Sequence, residues 1–156
     1  MPRRGKIPKR KIAPDSKMGS VLVQKFINKI MYCGKKCTAE KIFYGAMDIV
    51  SQKSGKEAIT VFDQAIRNTT PLMEVKSRRV GGSTYQIPIE VERDRGIAIS
   101  MKWLRESARD RQGKSMQEKL AAELLDAFSG TGGAMKKKED LHKTAESNKA
   151  FAHFRW

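Results

Sequence analysis

The chain is predicted to be mainly α-helical: a single bundle of about six helices with an inserted two-stranded β-hairpin arm. Apolar residues recur at three- and four-residue intervals through successive blocks, which is the signature of helices with one buried face. One central stretch instead alternates with period two on either side of Gly81-Gly82-Ser83. With 156 residues and 39% hydrophobic content, there is material for one modest core and one domain.

The first helix follows Ser20, with Leu22, Val23, Phe26, Ile27, Ile30 and Met31 on one face and Lys25, Asn28 and Lys29 on the other, and Gly34 ends it. Thr38 is the expected N-cap of the second, whose face is Ile42, Phe43, Ala46, Met47, Ile49 and Val50, closed by Ser54-Gly55. A third runs from about Glu57 to Asn68 and stops at Thr69-Thr70-Pro71. Residues 73–91 form the arm. A three-residue Gly81-Gly82-Ser83 loop is the preferred turn, because it sets Val75 opposite Ile89 and Met73 opposite Val91 and so gathers one apolar face at the base. The tip, with Lys76, Arg78 and Arg79, should project. The fourth helix carries Ile97, Met101, Leu104 and Ala108. The fifth opens on Ser115-Met116-Gln117-Glu118, a capping-box spacing, and a more polar sixth covers about Ala134 to Ser147. The expected division is a basic extension, 1–17, and a helical body, 18–156.

Charge is the strongest functional signal. Lys and Arg number 32 against 17 Asp and Glu, a net +15. A small domain tolerates that self-repulsion best beside a polyanion, and each neutralised phosphate adds counterion-release free energy. Arg3, Arg4, Lys6, Lys9, Arg10, Lys11 and Lys17 face only Asp15 in the first seventeen residues, which prolines keep from forming a helix. This segment is expected to be disordered alone and ordered on phosphates. Lys25 and Lys29, Lys35-Lys36, the arm, and Arg95, Lys102, Arg105, Arg109, Arg111 and Lys114 complete the candidate surface. Lys35-Lys36 has a structural alternative, since cations after Gly34 would suit a helix C-terminus. Arg78-Arg79 points more firmly to nucleic acid, because the planar guanidinium pairs with phosphate and stacks on bases. Phe151, Phe154 and Trp156 either fold back on the body or anchor a protein partner.

Catalytic chemistry is poorly represented. The two histidines, His142 and His153, lack partners at useful spacing, and Cys33 and Cys37 lack a second ligand pair for zinc. Gly113-Lys114-Ser115 imitates a P-loop end, but Ala108 stands where that motif needs glycine. The run Gly130 to Gly133 is a flexible loop or, less readily, a phosphate cradle. No enzyme, cofactor, metal or membrane span is expected, and with two cysteines and no apolar leader block the chain reads as cytoplasmic.

Several stretches carry a resemblance. They are Lys25-Phe26-Ile27-Asn28, Gly34-Lys35-Lys36, Ala39-Glu40-Lys41-Ile42, Glu74 to Gly82, Thr84-Tyr85-Gln86, Arg109-Asp110-Arg111 and Asn148 to Trp156. From Pro2 to Trp156 the chain is similar to the bacterial form of the seventh small-subunit ribosomal protein family. The resemblance implies a helical domain with a β-arm and a primary binder of 16S ribosomal RNA, on its 3′ major domain, that nucleates assembly of the subunit head. It implies a place near the decoding centre, with arm residues Arg78, Arg79, Gly81, Gly82 and Tyr85 beside exit-site transfer RNA and messenger RNA. It also implies the ninth and eleventh small-subunit proteins as neighbours, and hence a partner-facing role for Phe151, Phe154 and Trp156.

Overall fold

A computed structural model describes Gly5, residues 11–113 and residues 115–154. Among them are α1 (Val21–Ile30), α2 (Lys36–Ser54), α3 (Ala58–Thr69), β1 (Met73–Val80), β2 (Ser83–Glu90), α4 (Arg93–Asp110), α5 (Met116–Phe128), α6 (Gly133–Ser147) and a closing 3-10 helix, Lys149–Phe154. The helical bundle and inserted arm match the expectation.

The core forms where the apolar stripes meet. Phe26 of α1, Phe43 of α2 and Phe62 of α3 are fully buried and pack edge to face, with ring centroids 5.2–5.9 Å apart. Aromatic pairs in this geometry add about 0.5–1.5 kcal/mol beyond area burial. Met101 and Leu104 of α4 and Leu120 and Leu124 of α5 close the same core. Ser115 caps α5 as expected, its Oγ accepting from Glu118 N at 3.3 Å.

Two expectations are corrected. Thr38 is not the N-cap of α2, which begins at Lys36 with Lys35 in the cap position. The cause is a tight turn: Lys35 N donates to the Tyr32 carbonyl at 3.1 Å, with Cys33 (φ 51°) and Gly34 (φ 73°) both left-handed. The turn delivers Lys35 already aligned, and its carbonyl accepts the Ala39 N–H.

The arm's register also differs. Val80 pairs with Ser83 across a two-residue Gly81-Gly82 turn, and Val75 lies opposite Pro88 and Met73 opposite Glu90. Gly81 and Gly82 have φ of 58° and 92°, and two positive-φ residues give the hairpin turn whose twist suits the strands. Counting alternate pairs from that turn puts Pro88 at a non-hydrogen-bonded position, so its missing N–H would have pointed outward. The search for one apolar face misled because Ile87 and Pro88, pointing to opposite faces, are both buried. Arg95 of α4 fastens the arm's base through a bifurcated hydrogen bond, its Nε donating to both carboxylate oxygens of Glu74 at 2.8 and 2.9 Å. On the other side Leu72 N donates to His142 Nε2 of α6 at 3.1 Å.

Candidate nucleic-acid interface

The last carbonyls of a helix lack intrahelical partners and carry partial negative charge. At the end of α1 they are taken by α4: Arg105 Nη1 donates to the Lys29 carbonyl (3.4 Å) and Arg109 Nη2 to the Ile30 carbonyl (3.2 Å). These contacts place the basic stripe of α4 beside the basic face of α1. Exposed Lys25 and Lys29 line one recess together with Met101 of α4, and Lys35 and Arg109 line another. Lys102 stands exposed one turn before Arg105 and Glu106. Carboxylates stand among them, and Asp94 lines the recess of Lys25 and Lys29. Glu40 lies 3.5 Å from Lys36, and Glu106 is shared by Lys102, Arg105 and Lys137 at 4.0, 3.1 and 3.7 Å. Ion pairs of this partly exposed kind contribute about 0–1 kcal/mol, so a polyanion can compete for the cations.

The structural alternative for Lys35-Lys36 fails here. Both stand at the start of α2, not at the end of α1, so the helix dipole disfavours their charge. Glu40 meets Lys36 at 3.5 Å, and Lys35 stands exposed at the cap position.

Arg111 and Arg95 are held on carboxylates of other elements. Arg111 points inward: its Nε donates to Glu123 Oε2 at 2.6 Å and its Nη2 to Asp126 Oδ2. Burial opposes its charged form, but Asp126 and Glu123 outweigh that and raise its pKa above the usual arginine value. Glu123 is 1% exposed and also accepts the Ala134 N–H at 2.8 Å. Arg111 therefore joins α4 to α5 through both carboxylates. The same Glu123 carboxylate occupies the start of α6, where the Ala134 N–H meets it just after the glycine run. Arg95, though exposed, is held on Glu74.

On the arm, Lys76, Arg79, Gly81 and Gly82 are exposed, and Arg78 is half-buried opposite Tyr85. Tyr85 packs against Phe151 and Phe154, with centroids 5.1 and 5.5 Å apart. Of the two alternatives for the tail aromatics, folding back is the contact these two rings make. Arg3, Arg4, Lys6, Lys9, Arg10, Lys114 and Trp156 lie outside the described residues.

Asp15 tethers the segment that precedes α1. It is 3% exposed, accepting the Tyr44 hydroxyl at 2.7 Å and the Lys17 and Met18 N–H groups at 3.1 and 3.0 Å. Burial opposes its ionisation, but the Tyr44 and backbone hydrogen bonds prevail and lower its pKa. Burial and the Asp15 charge push Tyr44 up to about 12. Lys11 and Lys17 are exposed on this tethered segment. Cys33 and Cys37 are exposed and free, and no cluster able to hold a metal exists among the described residues.

Comparison with known sequences decides the lineage. The ribosomal protein S7p/S5e family matches residues 2–149. The chain belongs to that family. Proteins called small ribosomal subunit protein uS7 are 58% identical in Bordetella pertussis, 56% in Dictyoglomus turgidum and 54% in Caldanaerobacter subterraneus, each over the full length of both chains. The family is a structural component of the small ribosomal subunit and not an enzyme family. No helix among the described residues is long and apolar enough to cross a membrane.

Within this S7p/S5e chain, sequence reasoning missed two residues that shape the site. Glu123 stood out only as an acid amid the apolar residues Leu120, Ala121 and Leu124. Tyr32, 75% exposed beside Lys35, had no periodicity to mark it.

Proposed function

We propose that the chain is a primary binder of 16S ribosomal RNA, engaging the 3′ major domain and nucleating assembly of the subunit head. The observation that carries this is the cationic band around the end of α1, where Lys25, Lys29, Lys35, Lys36, Lys102, Arg105 and Arg109 meet on three helices. A rigid band of this kind reads shape and phosphate position, since A-form grooves hide base edges from side chains. The extension with Arg3, Arg4, Lys6, Lys9, Arg10 and Lys11, and Lys114, supply further phosphate contacts. Arg111 does not, and Arg95 acts by holding the arm.

The arm, from Lys76 to Gln86, serves the exit-site transfer RNA and messenger RNA near the decoding centre, with Arg79, Gly81 and Gly82 at its exposed tip. The ninth and eleventh small-subunit proteins are the neighbours. Phe151 and Phe154, ordered on Tyr85, face the latter, and Trp156 is assigned to the same partner. Filter binding tests the reading. The head-domain transcript should outcompete duplex DNA of equal length as salt is raised, and equal retention of both would refute it.

A further inference from the structure

The geometry points to Tyr32 as a stacking platform for one unpaired base of the RNA gripped at the end of α1, a claim that rests on the RNA-binding reading above. Tyr32 is the most exposed large apolar or aromatic side chain among the described residues, at 75%. Tyr44 is engaged by Asp15 and Tyr85 by the two tail phenylalanines, whereas the Tyr32 side chain has no hydrogen bond or ring contact among those residues. A ring so placed in water forgoes the free energy that burying it would release. Its backbone, by contrast, is well held. Arg109 fixes the Ile30 carbonyl two residues earlier, and the Tyr32 carbonyl accepts the Lys35 N–H across the turn. The ring is thus presented from a preordered corner, which lowers the entropy lost on binding.

Its surroundings select the ligand. Tyr32 shares a recess with Lys35 and Arg109, and Ile42 and Met116 add apolar lining. An aromatic face flanked by cations fits a single-stranded nucleotide, whose base stacks while its phosphate is neutralised. Paired bases in a duplex offer no free face, so the ligand is a nucleotide splayed from a loop, bulge or junction.

The test uses the full chain and the head-domain transcript of 16S ribosomal RNA, with affinity measured across a salt series. Tyr32→Ala and Tyr32→Leu should each bind at least about fivefold more weakly, with the salt dependence and thermal midpoint unchanged, and Tyr32→Phe should bind like the parent. Parent-like binding by Tyr32→Ala, or by Tyr32→Leu, overturns the stacking claim. Weaker binding and a shallower salt slope for Lys35→Ala/Lys36→Ala, beside parent-like Tyr32→Ala, would leave the RNA reading standing and remove only the platform. A parent chain with no preference for the transcript would bring both down.

Discussion

Glu123→Gln is the substitution that most sharply separates architecture from binding. The carboxylate is 1% exposed and takes two donors, Arg111 Nε at 2.6 Å and Ala134 N at 2.8 Å. The amide is nearly the same size, but its NH₂ must face one of those donors, and the half-buried guanidinium loses one of its two counter-charges. Breaking a buried pair from one side costs about 3–5 kcal/mol. Asp126 still holds Arg111, whose side chain is 28% exposed, which places the cost near the lower end, about 3 kcal/mol. For a chain of this length that lowers the thermal midpoint by about 6–12 °C. Far-ultraviolet circular dichroism on heating measures it, with Glu146→Gln, an exposed carboxylate of α6, as the control expected to change nothing. A midpoint within about 2 °C of the parent would refute the clamp. In the same preparation Arg111→Met should lose stability while the salt slope of RNA binding stays that of the parent.

The remaining predictions concern the arm and the two titrating tethers. Arg78→Ala/Arg79→Ala should weaken RNA binding or exit-site function while helicity is kept; lost helicity in circular dichroism would contradict a projecting arm. Tyr44→Phe removes a hydrogen bond to a carboxylate and should cost about 1.5–3 kcal/mol in denaturant unfolding at neutral pH. Because the hydroxyl's pKa is raised to about 12 in the fold, that contribution is complete below about pH 10 and lost as pH rises through 12, so parent and variant should converge there. His142 behaves oppositely. Burial, helped by the Lys138 charge, lowers its pKa from 6.5, and the neutral ring accepts the Leu72 N–H. Its contribution is therefore present at pH 7 and lost as pH falls below about 6.5, and a thermal midpoint measured from pH 7 to pH 5 should drop further for the parent than for His142→Gln.

The helices were legible because their signal is local. Val23, Phe26, Ile27 and Ile30 repeat on one stripe whatever they pack against, and Ser115-Glu118 carries its own cap. The arm's existence was equally clear from alternation about the glycines, but its register was not, because burial of both Ile87 and Pro88 depends on what covers each face. Among the cations, intervals of three and four residues set Lys102, Arg105 and Arg109 on one stripe of α4. Spacing could not tell that Arg111, only two residues on, turns to a carboxylate twelve residues away. The start of α2 was misjudged at Thr38 because the left-handed turn at Cys33-Gly34 sets it, and a cysteine there gives no such signal. Long-range packing and pairing, absent from any local pattern, account for the register and for Arg111, whereas the start of α2 was hidden by a local turn that the residue types do not announce.

Chemical probing of 16S ribosomal RNA with and without the chain tests the central claim most directly. The account predicts protections confined to the 3′ major domain and shared between at least two helices of one junction, lost when Lys25, Lys29, Lys35 and Lys36 are replaced together by alanine. Protections scattered over unrelated domains, or unchanged by that replacement, would contradict it.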